Sequence, residues 1–119
     1  MTWEYNQRTG EMTHNGAHYA NGYSGSPRGK NDPSKEDVGF VGPIPHGYWR
    51  ITRHTNNKGP WTIELEPIAG TNTYGRFAFR IHGDNPNTIG SSSEGCIVIN
   101  GANLRKNIYS SGDDILVVR

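Results

Sequence analysis

Ile and Val together number 15 in this chain and Leu only three, and the other large apolar side chains are mostly aromatic: three Trp, six Tyr and three Phe. β-Branched side chains are stiff at χ1 and, with aromatics, pack well on a pleated surface. A mainly β domain follows. At 119 residues the chain has room for one hydrophobic core, which predicts a single domain over 1–119. Leu, Ile, Val and Phe make up under a fifth of the residues, a proportion that would mean disorder if the charge were high. The formal net charge is only +1, so self-repulsion does not oppose folding.

That near-neutral balance, with no long run of Lys or Arg, offers no field for nucleic acid or an anionic membrane. No stretch of 18 apolar residues is present, so no membrane span is expected. The amino terminus, Met1-Thr2-Trp3-Glu4-Tyr5, lacks a basic segment followed by an apolar one. Synthesis in the cytoplasm without a signal peptide is the expectation. A lone cysteine, Cys96, excludes an internal disulfide and any Cys-rich metal module. His14 and His18 flank a turn and do not form a helical zinc pair, and His82, Asp84, Glu94 and Cys96 are thin ligation for zinc. No metal and no cofactor are expected.

Along the chain, Trp3 and Tyr5 alternate with polar neighbours as a first strand. Asn15-Gly16 between Glu11–His14 and Ala17–Ala20 is a hairpin signal, because a type I′ turn needs positive φ at both central residues. Gly22 to Pro43 is rich in Gly, Ser, Pro and charge, and reads as a loop bordering a site. Strands are predicted at Tyr48–Thr52 and Trp61–Glu66, with His46 and His54 in turns. Arg76 to His82 alternates, with Phe77, Phe79 and Ile81 on a core face and Ala78, Arg80 and His82 on the other. A short strand Cys96–Ile99, a helix within Asn100–Ser110 and a last strand Asp114–Val118 complete the reading.

The chemistry gathers at the Gly- and Ser-rich loop between His82 and Cys96. An unperturbed thiol of pKa about 8.5 is only about 3% ionised at pH 7, so a cysteine nucleophile needs a base. His82 ends one strand and Cys96 begins another, which brings imidazole and thiol together if the strands are neighbours. Gly95 permits close approach, and the Gly95 and Cys96 amides can face an oxyanion. The competing reading is that Cys96 is a small buried hydrophobe.

Ile81-His82-Gly83 followed by Ser93-Glu94-Gly95-Cys96-Ile97 resembles the signature of the L,D-transpeptidase catalytic domain, and Gly42-Pro43-Ile44-Pro45-His46-Gly47-Tyr48-Trp49-Arg50-Ile51 is similar to an upstream segment of that family. Tyr23-Ser24-Gly25 and Val98 are closer to its compact branch of interbacterial effectors delivered by type VI secretion. The resemblance implies an L,D-transpeptidase-like β-sandwich with one short helix near the C-terminus. It implies Cys96 as nucleophile, His82 as base, the Gly83 carbonyl orienting the imidazole, and Ser93 supporting the loop. Peptidoglycan stem peptides are the implied substrate, with exchange or L,D-carboxypeptidase cleavage through an acyl-enzyme. An immunity protein and secretion components are implied partners, with action in the periplasm of a target bacterium.

Two positions depart from the family pattern: Glu94 replaces a His, and Val98 replaces the Arg or Asn after the Cys-x pair. Arg80 is the candidate substitute for carboxylate binding, with Tyr48 and Trp49 as further substrate-binding candidates. Asp84 is an alternative orienter of His82. Two other functions compete: a cell-wall cysteine amidase or endopeptidase, disfavoured because His precedes Cys here, and a non-catalytic peptidoglycan-binding module using Tyr48, Trp49 or Trp61.

Overall fold

Asn15 and Gly16 adopt φ of 52° and 85°, the positive pair expected of a tight hairpin turn. They join β2 (Glu11–His14) to β3 (Ala17–Asn21) in the computed structural model, which describes residues 2–119. The other strands are β1 (Trp3–Tyr5), β4 (Tyr23–Ser24), β5 (Gly47–Thr55), β6 (Thr62–Ile68), β7 (Arg80–His82), β8 (Ile97–Val98) and β9 (Ile115–Val118). A helix α1 (Ala102–Ser110) precedes β9, and a 3-10 turn spans Pro33–Lys35. The nine strands form one hydrogen-bonded order, β3-β2-β1-β9-β5-β6-β7-β8-β4. Only β1·β9 and β7·β8 are parallel pairs.

Nine flat strands spaced ~4.8 Å apart would separate the outer two by roughly 38 Å. The longest extent of the Cα trace is 35 Å, so the sheet must curl. Its two edges, β3 and β4, are consecutive in the chain and separated only by Gly22. A single extended segment therefore leaves β2 at a glycine corner and pairs with β8, drawing the edges together. The corner is crowded: a Cβ on Gly22 would fall 2.2 Å from the Val98 carbonyl oxygen. Inside the curl, Trp3, Tyr5, Trp49, Ile81, Ile97 and Leu116 join Ile108 from α1 in one core cluster. Hydrophobic side chains from opposite ends of the sheet order thus share one interior.

Several expectations change. The predicted strand over Arg76–His82 shrinks to Arg80–His82, because Ala78 takes φ of 65° and breaks the extended run. Phe79 and Ile81 are buried, but Phe77 is 84% exposed and does not belong to the core. His82 is only 3% exposed although it lies on the face opposite Ile81. Trp49 is fully buried, edge-on to Phe79, with its indole N–H donating to the Pro45 carbonyl at 3.1 Å. It is a core residue and cannot meet a ligand. His54 lies within β5, stacked on Trp61, not in a turn. The 22–43 loop contains β4 and the 3-10 turn.

Candidate active site

The parallel pairing of β7 with β8 sets Ile81 opposite Ile97 and His82 opposite Val98. Continued one step back, this register sets Arg80 beside Cys96. Side chains alternate along a strand, so Ile81 and Ile97 fill the core while Arg80 and His82 share the other face of β7, and Cys96, in the bend one residue before β8, has its sulfur against the Arg80 amide and side chain. His82 thus ends one strand of the parallel pair, and Cys96 leads into the other.

His82 Nδ1 lies 2.8 Å from the Gly83 carbonyl oxygen. A carbonyl can only accept, so Nδ1 carries the proton and Nε2 is left with its lone pair. Burial lowers the His82 pKa below its ordinary value; the Gly83 bond opposes this, and Lys58, Arg105 and Arg80 lower it further. The imidazole is therefore a neutral base at neutral pH. The half-buried Cys96 thiol is pushed up by desolvation, against the Arg80 amide, the Arg80 side chain and Lys58, which favour the thiolate. Both groups rest uncharged. The sulfur contacts the Ala78 carbonyl oxygen at 3.7 Å, and no hydrogen bond joins it to His82.

The turn into the cysteine hangs on two buried hydroxyls. Ser93 Oγ accepts from the Gly25 amide at 3.0 Å and the Gly95 amide at 3.1 Å, and donates to the Cys96 carbonyl at 2.6 Å. The Gly95 amide is thereby committed and does not face an oxyanion. Ser24 Oγ donates to the Gly95 carbonyl at 3.0 Å and accepts from the Ile44 amide at 2.8 Å. Asp84 makes no hydrogen bond to His82. It accepts from the Tyr23 hydroxyl, the Gly90 amide and the Asn100 amide group, holding the loop after β7.

Cys96 opens into a cavity of about 430 Å³ walled by Phe40, Tyr74, Arg76, Phe77 and Arg80. A smaller one of about 240 Å³ lies at His82 and Gly83, and Lys58, Ser92 and Glu94 line both. The 22–43 segment reaches the Cys96 cavity at Gly39 and Phe40. Tyr48 is exposed on β5 beside Ile68 and Val117, and lines neither cavity.

Three basic residues escaped the sequence reading. Lys58 lies in the turn between β5 and β6, far upstream. Buried Arg105, on α1, donates to the carbonyls of Trp61, Ile99 and Pro60 and backs Gly83, whose Cβ would fall 2.9 Å from its Nη1. Arg76 bonds only to main-chain carbonyls. A buried arginine at the i+3 position before Ile108 was the one available signal, and it reads as a surface residue in sequence.

Among the described residues no three His, Cys, Asp or Glu side chains gather to hold a metal, and no helix is long and apolar enough to cross a membrane. Comparison with curated proteins and with solved structures gives no match. The model of one family, described as the Tlde1 domain, matches residues 18–116, from β3 into β9 and across both His82 and Cys96. The chain therefore belongs to the Tlde1 domain family of type VI secretion effectors.

Proposed function

We propose that this effector is a cysteine acyl-transfer enzyme acting on peptidoglycan stem peptides, by L,D-transpeptidase exchange, L,D-carboxypeptidase cleavage or both, and that it is an antibacterial toxin. The observation that supports the reading is the parallel β7/β8 pairing, in which β7 ends on a neutral imidazole of fixed tautomer and Cys96, open to a cavity, leads into β8. In the proposed reaction the sulfur attacks the scissile carbonyl carbon while His82 Nε2 takes the thiol proton. The C–N bond breaks, the imidazolium returns the proton to the departing amine, and a thioester remains. An amine or water, deprotonated by His82, then attacks the thioester and restores the thiol. The Cys96–His82 hydrogen bond forms when substrate displaces the thiol from Ala78, as apo catalytic contacts commonly tighten on binding. An effector of this kind calls for a cognate immunity protein in the producing cell.

The contact of the thiol with Ala78 is also what a non-catalytic peptidoglycan-binding module would show. Mass spectrometry of tetrapeptide muropeptides separates the two. Incubation should convert tetrapeptides to tripeptides, or to exchanged tetrapeptides when a D-amino acid is added. Alkylated protein should do neither. Unchanged muropeptides that are nonetheless retained on the protein would establish the binding module instead.

A further inference from the structure

Arg76 lies outside the proposed His82–Cys96 pair, yet its guanidinium bonds to four main-chain carbonyls around the cavity. Nη1 donates to the Glu36 carbonyl at 2.5 Å and the Pro43 carbonyl at 2.9 Å. Nη2 donates to the Gly42 carbonyl at 3.0 Å and the Glu94 carbonyl at 3.2 Å. One planar fork thus spans the 36–43 segment, a wall of the Cys96 cavity, and the turn that delivers the cysteine. The guanidinium also lies 5.2 Å from the centre of the Phe79 ring, which packs edge-on against Trp49 in the core. The backbone is cut to fit: a Cβ on Gly95 would fall 2.3 Å from Nη2, and one on Gly42 would fall 1.7 Å from the Lys35 carbonyl oxygen.

Four carbonyls satisfy the donors but leave the charge in place, and among the described residues no carboxylate is ion-paired with Arg76. Arg76 and Cys96 line the same cavity. Around the sulfur stand Arg80 and Lys58 as further cations and Glu94 on the rim, with Glu36 and Asp37 behind Arg76. Attraction between the guanidinium and a Cys96 thiolate acts against the desolvation of Arg76.

We propose that Arg76 is a positioning residue for the Cys96 nucleophile: its guanidinium straps the Glu94–Cys96 turn to the 36–43 segment and keeps a positive charge on the wall of the cavity into which the thiol opens. This rests on the reading of Cys96 as a nucleophile. Arginine is required because a lysine ammonium has at most three donors and no fork.

The test compares Arg76→Gln, Arg76→Lys, Arg53→Gln and Cys96→Ala, reading tetrapeptide turnover, melting temperature and the pH dependence of Cys96 alkylation by iodoacetamide. Arg76→Gln should shift the alkylation midpoint to higher pH and cut turnover by about tenfold to hundredfold, the scale of a misplaced reacting group. Arg76→Lys keeps the charge, so its midpoint should stay near wild type while turnover falls about tenfold. Arg53→Gln, at an exposed ion pair with Glu64, should change neither. A folded Arg76→Gln protein with wild-type turnover or an unmoved midpoint overturns the proposal; if that variant does not fold, wild-type turnover in Arg76→Lys overturns it. Turnover retained by Cys96→Ala would instead sink the underlying nucleophile reading.

Discussion

His82 holds its proton on Nδ1 toward Gly83, and burial keeps the ring neutral. Acid disables such a base. As pH falls, protonation of Nε2 removes the acceptor, so kcat/KM should drop through the His82 pKa, below the ordinary value of about 6.5. A rate profile already falling above that pH would contradict the assignment. His82→Ala should slow acylation by roughly 10²–10⁴. Alanine at His14, His18, His46 or His54 should not, because those rings are occupied by Asp113, Glu11, Glu36 and Trp61 and line neither cavity. Single-turnover acylation of all five variants checks this. The proposed pairing of His82 with Cys96 suggests itself in the sequence because His82, Gly83, Ser93, Gly95 and Cys96 fall within one short segment whose residue types are those of the chemistry. Trp49 misled: the aromatic character that suggested a ligand surface is satisfied by Phe79 and Pro45 inside the core.

Among the elements, the Asn15-Gly16 hairpin and the helix before β9 were legible because their signals are local turn and period preferences. β7 was not. The alternation Phe77, Phe79, Ile81 is a sound strand pattern, but φ of 65° at Ala78 turns the chain and leaves Phe77 in solvent at the cavity wall. The parallel β7/β8 pairing and the arginine strap join residues distant in sequence, which periodicity cannot register. β1 carries a stability prediction. Tyr5 is fully buried, and its hydroxyl has no hydrogen-bond partner among the described residues. An unsatisfied buried hydroxyl costs about 1–3 kcal/mol. Tyr5→Phe should therefore raise stability by about 1 kcal/mol, a few degrees in Tm for a chain of this length. Thermal unfolding checks it, and a lower Tm would mean that the hydroxyl is satisfied after all.

For the whole molecule, the curled sheet puts the Glu94–Cys96 turn, the 22–43 segment and the loop after β7 on one cavity, in a chain of the Tlde1 domain family. If its substrate is the cell wall, the place of delivery decides toxicity. Expressed in the bacterial cytosol the protein should be harmless. Fused to a secretory signal peptide it should swell or lyse the cells, and Cys96→Ala should restore normal plate counts. Toxicity confined to the cytosolic form would point to a cytosolic target. The most direct measurement of the central claim is the intact mass of the protein after brief incubation with a stem tetrapeptide. Thioester formation at Cys96 with loss of the terminal residue predicts an added mass equal to the tripeptide acyl group in wild type and none in Cys96→Ala. Turnover with the same adduct in Cys96→Ala, or turnover with no adduct trappable in wild type at any time, would contradict a covalent cysteine mechanism.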